Sequence, residues 1–436
     1  MFSKLNEKRY LMSVLLIVIL ITFLSVHVSI GGPRLVGKTL EGTLTASKLS
    51  ARFNQTLNPN STLNLKITPE LKTHHSIQAN ELTIYFDEAL KTNTTYRLTI
   101  EGVTDKRRKT STATLEFKTP QQQLAYLQRR TIDGNDKIVT KTLGKATETI
   151  LFSGERIGSF TITKNESLLL IQENTNRTLE TVMSRVEDGR AKQLHPPKGV
   201  AIAISGSRVS NNVLLRTRDI SSLQNYLYIY DAESNSFSEI TKKDGSSIHA
   251  VKAEFASDGN TVIYRDAADG SLVLLDPMKQ RDPISFGVTT DFHRYIPDNR
   301  GVLFETKPGT YELANSDGKR QTVLDDITIS EATILSNLKT VVYIVNKYGL
   351  ASTHLLLTLK SDNETVVLSD IDYTENTIWN LGLSTNDEFI TYQIGKTPFT
   401  FDGYRIEAEP KNIETKILNT RGEQIDSING SQVNWL

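Results

Sequence analysis

The chain has 436 residues with 50 basic and 50 acidic side chains, so its formal net charge at pH 7 is zero. This balance gives no support to nucleic-acid binding or to a strongly charged partner. Cysteine is absent, which excludes disulfide bonds and an anchor attached through a lipidated cysteine.

The N-terminal part contains an apolar segment long enough to cross a membrane. Residues 11–30 are interrupted only by single Ser, Thr and His residues. Twenty helical residues span roughly 30 Å, the thickness of a bilayer core. Three cations precede the segment, at Lys4, Lys8 and Arg9. By the positive-inside rule, the sequence predicts a cytoplasmic tail at 1–9 and a transmembrane signal anchor at 10–32. The rest of the chain is then extracytoplasmic, on a single-pass protein of the cell membrane.

A cleaved signal peptide is the competing interpretation of this segment. Such peptides have a shorter apolar region, about 7 to 15 residues, followed by a small-x-small cleavage site. Ser29-Ile30-Gly31 matches that site poorly. An uncleaved anchor is therefore the prediction. An exported chain without any disulfide is typical of a bacterial cell envelope.

Residues 33–120 contain short runs in which apolar and polar residues alternate, such as Leu82–Phe86 and Tyr96–Ile100. Alternation with a period of two predicts strands with one buried and one solvated face. Several such strands at short intervals predict a small β-sandwich.

This block resembles the bacterial Ig-like domain of S-layer proteins (the SbsA type). Ala51–Asn58 stands where that family has Phe-Ser-x-Pro-Leu-Asp, with Thr56 replacing the proline. Thr94–Asp105 matches its Thr-Tyr strand, and Leu115–Thr119 matches its closing Phe-x-x-Thr. The resemblance implies a spacer module. Lys106–Lys109, in its last predicted hairpin loop, is open to two interpretations: a solvated turn, or a contact to anionic envelope polymers or lipid headgroups.

From residue 121 onward, one sequence pattern recurs at intervals of roughly 40 to 50 residues, which is typical of a β-propeller. An apolar run ends, a turn containing Asn or Asp follows, and a second apolar run begins. The last apolar residues before the turns are Ile162, Ile204, Phe255, Tyr295, Ile334 and Leu383. We interpret the Asn and Asp residues as structural, because they tolerate the positive φ of a tight turn.

A seventh copy of this apolar marker, Trp435, is followed by no further strands. Conversely, the runs 124–127, 137–140 and 149–152 lack an inner strand of their own. The sequence therefore predicts that the C-terminal strand completes the first blade and closes a seven-bladed ring. The predicted fold class is all-β: a transmembrane helix, a small Ig-like β-sandwich at 33–120 and a seven-bladed β-propeller at 121–436.

Two sequence segments resemble the repeat of TolB-like (WD40-like) propellers. They are Phe255–Gly259 with its following strand, and the strand Tyr226–Asp231. The Gly-His and Trp-Asp signature of WD40 repeats is absent. The resemblance implies a protein partner in the cell envelope.

The sequence lacks a Gly-x-Ser-x-Gly elbow, a Gly-x-Gly-x-x-Gly turn and a His-Glu-x-x-His pair. Asp370, Asp372 and Glu375 loosely resemble a calcium loop but lack its central Gly and later Glu. We predict no catalytic residue, cofactor or metal.

Candidate contact residues follow from the geometry of a propeller, which binds ligands where the loops entering the inner strands meet. Ser246, Asp291 and Glu331 lie in three such loops. The last blade also carries an insertion, 396–404, with the aromatic residues Phe399, Phe401 and Tyr404. These aromatics could form a protein-contact hot spot or fold back onto the blade.

The predicted function is non-catalytic binding, in which the propeller docks an envelope protein or cell-wall polymer and residues 11–30 sit in the bilayer. The alternative is a propeller lyase or hydrolase acting on cell-wall glycan or a small envelope substrate. That class needs clustered carboxylates, His or Tyr at matching heights on several blades, and the repeat register does not predict such a cluster.

Overall fold

The computed structural model describes residues 32–44, 46–129, 134–174, 180–207, 209–256, 259–277, 282–296, 301–315, 317–348, 353–361, 364–397, 401–402, 404 and 408–436. Every regular element in these ranges is a β-strand. The described residues include no helix of the length and apolarity that a membrane crossing needs. Residues 1–31, which comprise the predicted tail and all but the last residue of the predicted anchor, lie outside the described residues. The chain forms a first unit, Met1–Pro120, and a second unit, Gln121–Leu436.

The first unit is a sandwich of a four-stranded and a three-stranded antiparallel sheet, with strand orders β1-β2-β5-β4 and β3-β6-β7. Its strands are β1 (Leu35–Thr43), β2 (Ala46–Phe53), β3 (Asn64–Thr68), β4 (Thr73–Gln78), β5 (Glu81–Phe86), β6 (Thr95–Thr104) and β7 (Thr110–Lys118). The alternating residues Tyr96, Leu98 and Ile100 of β6 are buried, as their period of two predicts. They share one apolar core with Leu49 and Phe53 of the facing sheet.

The second unit contains seven four-stranded antiparallel sheets, the organisation of a β-propeller. We number the sheets in chain order. The first holds β8 (Gln123–Gln128), β9 (Asp136–Thr142), β10 (Glu148–Gly154) and β35 (Ser431–Trp435). The second holds β11 (Ile157–Ile162), β12 (Leu168–Glu173), β13 (Thr181–Glu187) and β14 (Arg190–Leu194), and the third holds β15 (Val200–Gly206), β16 (Asn212–Arg218), β17 (Asn225–Asp231) and β18 (Ser236–Glu239).

The remaining four sheets repeat the same meander. The fourth holds β19 (Ala250–Phe255), β20 (Val262–Asp266), β21 (Ser271–Leu275) and β22 (Ile284–Val288), and the fifth holds β23 (Asp291–Ile296), β24 (Gly301–Lys307), β25 (Thr310–Ala314) and β26 (Arg320–Asp325). The sixth holds β27 (Ile329–Ile334), β28 (Thr340–Tyr348), β29 (Thr353–Ser361) and β30 (Glu364–Asp372). The seventh holds β31 (Asn376–Leu383), β32 (Phe389–Lys396), β33 (Glu414–Asn419) and β34 (Gln424–Ile428).

Strand β35 joins the first sheet, as the sequence predicts. Ser431 lies opposite Leu127 and Trp435 lies opposite Leu124 in an antiparallel pair. Neighbouring sheets pack through apolar clusters. One of these clusters contains Ile417 and Ile428 of the seventh sheet and Tyr126 of the first sheet.

The explanation of the turn Asn and Asp residues by positive φ holds in one of the described turns and fails in another. In the turn between β31 and β32, Asp387 has a positive φ of 60°. In the turn between β27 and β28, the positive φ of 63° belongs to Leu338 and not to Asn337. Asn337 instead accepts hydrogen bonds through Oδ1 from the N–H groups of Lys339, at 3.0 Å, and Thr340, at 2.9 Å. Asn serves here as a side-chain acceptor that holds the turn, which is an Asx-turn.

One irregularity recurs in the first strand of sheets two to seven and in β35. Each of these inner strands has a shift of register against its neighbour, the mark of a β-bulge. The shifts lie between Ile157 and Ser159, Ala201 and Ala203, Ala250 and Lys252, Phe292 and Arg294, Ile329 and Glu331, Trp379 and Gly382, and Ser431 and Asn434. A bulge re-aims the side chain that follows it, and in three of the strands that side chain is charged.

Candidate partner-binding site

The connection between β32 and β33 forms one wall of a cavity of about 580 Å³ in the second unit. Leu127 and Ser431 of the first sheet also line this cavity. Within the connection, Phe401 pairs with Pro410 in an antiparallel bridge, and the N–H of Asp402 donates to the carbonyl of Glu409 at 2.9 Å. Phe401 is 57% exposed beside this cavity.

A buried arginine fixes this connection to the first and second sheets. The side chains of Arg129 and Asp402 are 6% and 3% exposed, and Arg129 Nη1 lies 2.8 Å from Asp402 Oδ2. Arg129 Nη2 also donates to the carbonyl of Gly158 at 2.6 Å. A charge this far from solvent requires such partners, because water no longer stabilises it.

Glu409 adds a second carboxylate beside the same guanidinium, 3.6 Å from Arg129 Nη1. It also accepts a hydrogen bond from the hydroxyl of Ser431. Burial raises the pKa of Glu409 above its usual value, although Arg129 and the Ser431 hydroxyl oppose the change. The environment therefore makes ionisation of this carboxyl group harder than in water.

Tyr404 is buried inside the fold. It is therefore not part of the exposed contact surface that was one of the two interpretations of the insertion. The guanidinium carbons of Arg129 and Arg156 lie 4.2 Å and 4.5 Å from its ring centroid. Its hydroxyl donates to the carboxylate of Asp136, which also accepts the N–H of Ile157 at 2.7 Å. Burial, reinforced by Asp136, raises the pKa of Tyr404. Of the two interpretations left open, Tyr404 follows the one in which the insertion folds back.

Asp291 and Glu331 lie on adjacent inner strands, and Lys252 influences both. Lys252 Nζ lies 3.1 Å from Asp291 Oδ1 and donates to the carbonyl of Phe292 at 2.7 Å. Glu331 accepts a hydrogen bond from the N–H of Leu381 at 2.9 Å. Burial raises the pKa of Glu331, while the Leu381 N–H and the charge of Lys252 lower it. The structure thus brings two predicted contact residues together with one cation that the sequence analysis did not select.

The two remaining predicted residues do not join either group. Ser246 lies in an exposed turn before β19, where its N–H and hydroxyl both donate to Asp244 Oδ1, at 2.9 Å and 2.6 Å. These bonds hold the turn and involve neither Asp291 nor Glu331. Phe399 lies outside the described residues.

Sequence reasoning missed Arg129, Glu409 and Lys252. Arg129 follows β8 of the first sheet and Glu409 lies between β32 and β33 of the seventh sheet, so their contact joins residues that are 280 positions apart in the sequence. Lys252, Arg294 and Glu331 each follow the bulge of an inner strand, a position that the structure shows and that no period of the sequence marks. The described residues contain no group of three or more His, Asp or Glu side chains able to hold a metal ion.

Residues 38–119 match the family model described as a bacterial Ig-like domain, which confirms the predicted resemblance of the first unit. No curated protein sequence matches the chain. Among solved structures, TolB from Acinetobacter baumannii is similar at 11% identity, over 79% of this chain and 80% of that chain, with a TM-score of 0.40.

Two further solved structures are similar at the same level. A putative 6-phosphogluconolactonase from Bacteroides fragilis aligns at 10% identity, over 72% of this chain and 98% of that chain, with a TM-score of 0.46. The β-propeller domain of the Trilobed protease from Pyrococcus furiosus aligns at 10% identity, over 78% and 97%, with a TM-score of 0.44. The assignment of a propeller therefore depends on the seven four-stranded sheets of the second unit themselves.

Proposed function

We propose that the chain is an extracytoplasmic binding protein, anchored in the cell membrane by residues 11–30, whose propeller docks a protein of the cell envelope. The observation that carries this proposal is Phe401, an exposed aromatic side chain on a firmly held connection beside a cavity. An aromatic anchor on a rigid support loses little conformational entropy on binding, and such residues supply much of the energy of protein interfaces.

The support under Phe401 is the network of Arg129, Asp402 and Tyr404. The cavity next to it combines apolar walls from Leu127 and Ile413 with polar groups. A partner segment with an apolar side chain and hydrogen-bonding groups fits this mixture better than a uniformly charged polymer does. We therefore favour a protein over a cell-wall polymer as the partner.

The first unit is suited to be a spacer between membrane and propeller. The chain enters it at Gly32, next to Thr110 at the start of β7, and leaves it at Pro120, two residues beyond Lys118 at the end of β7. Nine strand residues cover about 26 Å. Entry and exit at opposite ends of one strand support the role of a spacer.

We also propose that the seven sheets close into a ring. The pairing of Ser431 with Leu127 and the packing of Ile417 against Tyr126 support closure between the seventh and first sheets. A closed ring leaves no terminal sheet with an uncovered face and gives the cavity beside Phe401 a rigid frame.

The test is capture of the partner on intact cells by the full-length protein with a photo-cross-linking residue in place of the exposed Ala408. Phe401→Ala should weaken capture by roughly 30-fold if Phe401 is a hot spot of about 2 kcal/mol. Ile327→Ala is the matched control and should leave capture unchanged. It truncates an apolar side chain that is 83% exposed in the connection between β26 and β27. Equal capture by both variants would contradict the site, and no captured protein at all would contradict the docking function.

A propeller enzyme acting on cell-wall glycan is the second candidate, favoured by the grouping of Asp291, Glu331 and Lys252 on neighbouring inner strands. A carboxyl group with a raised pKa can act as a general acid. The full-length protein would then release soluble products from isolated cell-wall glycan, and Glu331→Gln would abolish release. Absence of product from the unmodified protein would remove this candidate.

A further inference from the structure

The hairpin loop between β6 and β7 presents four consecutive cations on a tightly built turn. Asp105 is buried, and its Oδ1 accepts hydrogen bonds from the N–H groups of Arg107 and Lys109, both at 2.8 Å. Its carbonyl accepts the N–H of Arg108 at 3.0 Å. The one acidic side chain of the loop therefore holds the backbone, while the side chains of Lys106, Arg107 and Arg108 are exposed.

The chain enters the first unit directly beside this loop. The hydroxyl of Ser111 donates to the carbonyl of Pro33 at 2.6 Å, and a Cβ added at Gly32 would lie 3.0 Å from the carbonyl oxygen of Thr110. Arg34 is fixed next to them, because its N–H donates to Asn54 Oδ1 at 2.8 Å. Residues 32–34 are thus held against the first residues of β7.

The position of Gly32 limits how far the end of the apolar segment 11–30 can lie from this loop. Ile30 precedes Gly32 by two residues, and consecutive Cα atoms are about 3.8 Å apart. The end of the segment therefore lies within about 8 Å of Gly32. If residues 11–30 cross the bilayer, Lys106–Lys109 lies within reach of the lipid headgroups, and its charge decides whether this end of the unit stays on the membrane surface. Arg34, also exposed, adds a fifth cation at this end of the unit.

We propose that Lys106–Lys109 binds the anionic phospholipid headgroups of the leaflet from which residues 11–30 emerge. The contact holds the end of the first unit that carries Thr110 against the membrane and directs the end that carries Lys118 away from it. Clustered Lys and Arg next to a membrane segment are attracted to anionic lipids within about one Debye length of the surface, roughly 10 Å. This inference rests on the proposed anchoring by residues 11–30.

The experiment uses the full-length protein reconstituted into vesicles of phosphatidylcholine, with or without about one third phosphatidylglycerol. The chain has no cysteine, so single labels can be placed by Thr110→Cys and Lys118→Cys without a background signal. These sites lie at opposite ends of β7, about 26 Å apart, and neither substitution alters the loop. Each fluorescent label is read against a quencher attached to the lipid headgroup.

We expect strong quenching of the label at residue 110 in vesicles with phosphatidylglycerol, and its loss in high salt, where the Debye length falls to about 3 Å. Quenching at residue 118 should stay low. The quadruple variant Lys106→Gln, Arg107→Gln, Arg108→Gln and Lys109→Gln should lower quenching at residue 110 to that level. The matched quadruple variant Lys145→Gln, Lys164→Gln, Arg190→Gln and Lys192→Gln, which removes four exposed cations of the second unit, should not.

Flotation of the vesicles separates failure of this inference from failure of the anchor. Protein that floats with both vesicle types but shows equal quenching at residues 110 and 118 is anchored, and its loop is a solvated turn. Quenching at residue 110 that persists in the Lys106–Lys109 variant also overturns the inference. Protein that does not float with either vesicle type overturns both the anchor and the inference.

Discussion

Arg129 illustrates what holds the candidate site in place at the scale of single residues. Its charge is compensated by Asp402 at 2.8 Å, and both side chains are almost fully removed from water. Removing one partner of a buried ion pair is strongly destabilising. Without Asp402, the carboxyl group of Glu409, 3.6 Å from Arg129, is a more distant partner whose ionisation burial already disfavours. An exposed pair of the same length costs far less to break, because water replaces the partner.

Asp402→Ala should therefore lower the free energy of unfolding by about 3–5 kcal/mol. Asp282→Ala removes one partner of an exposed pair, 2.7 Å from Lys243, and should cost about 0–1 kcal/mol. Chemical denaturation of the two variants measures both values. Similar losses in both would show that the burial of Arg129 does not matter for stability.

Glu409 makes a prediction about pH. Burial raises the pKa of its carboxyl group in the folded protein above the value in the unfolded chain. Between these two pKa values the folded state retains the proton and the unfolded state has released it. The contribution of Glu409 to stability is therefore lost as the pH rises through and above the usual Glu range.

Glu409→Gln removes this titration while keeping the shape of the side chain. The unfolding free energy of the variant minus that of the unmodified protein should increase as the pH rises from about 4 towards neutral. Denaturation series at several pH values measure this difference. A difference that does not change with pH would mean that the pKa of Glu409 is the same in the folded and unfolded states.

At the scale of elements, β35 makes the first sheet complete. Trp435 is buried, stacks on Phe389 with ring centroids 5.9 Å apart, and belongs to the cluster that joins the seventh and first sheets. Trp435→Ala should cost about 3–5 kcal/mol. Trp379→Ala, at a half-buried position of β31, should cost less. Denaturation curves compare the two, and a larger loss for Trp379→Ala would contradict the role assigned to β35.

The strands were largely predictable from the sequence because their signals are local. Alternation of apolar residues marks β5, β6 and β7, and recurring turns mark the boundaries of the later sheets. The pairing of β35 with β8 followed from a count of the repeat and not from a contact. The connection between β32 and β33 was recognised as an insertion, but the inward direction of Tyr404 depends on Arg129 and Arg156, which no local pattern links to it.

The same limit applies to the inner strands. Asp291 and Glu331 were selected because they enter these strands, and their grouping with Lys252 depends on bulges that redirect the side chains. A bulge inserts one residue and so breaks the period on which sequence patterns depend. Electrostatic grouping at the centre of a repeat fold is therefore hard to predict from one sequence.

At the scale of the whole molecule, the two units have separate hydrophobic cores. Leu98 belongs to the core of the first unit and Leu215 to an apolar cluster of the second, and both are fully buried. Units with separate cores often unfold as separate cooperative blocks. We expect two transitions in calorimetry of the full chain. Leu98→Ala should shift one transition to lower temperature and Leu215→Ala should shift the other. Each substitution should lower the unfolding free energy of its own unit by about 2–5 kcal/mol. A single transition shifted by both variants would show that the units unfold together.

The pairing of β35 with β8 also constrains when the protein can acquire its structure during synthesis. Residues 124–127 leave the ribosome long before residues 431–435 exist, so β8 waits with one edge unpaired while more than two thirds of the chain is translated. Nascent chains grow at about 5–20 residues per second, so the delay lasts tens of seconds. During that time the free edge can pair with a wrong strand, and a chaperone that shields extended backbone would be needed most at this stage.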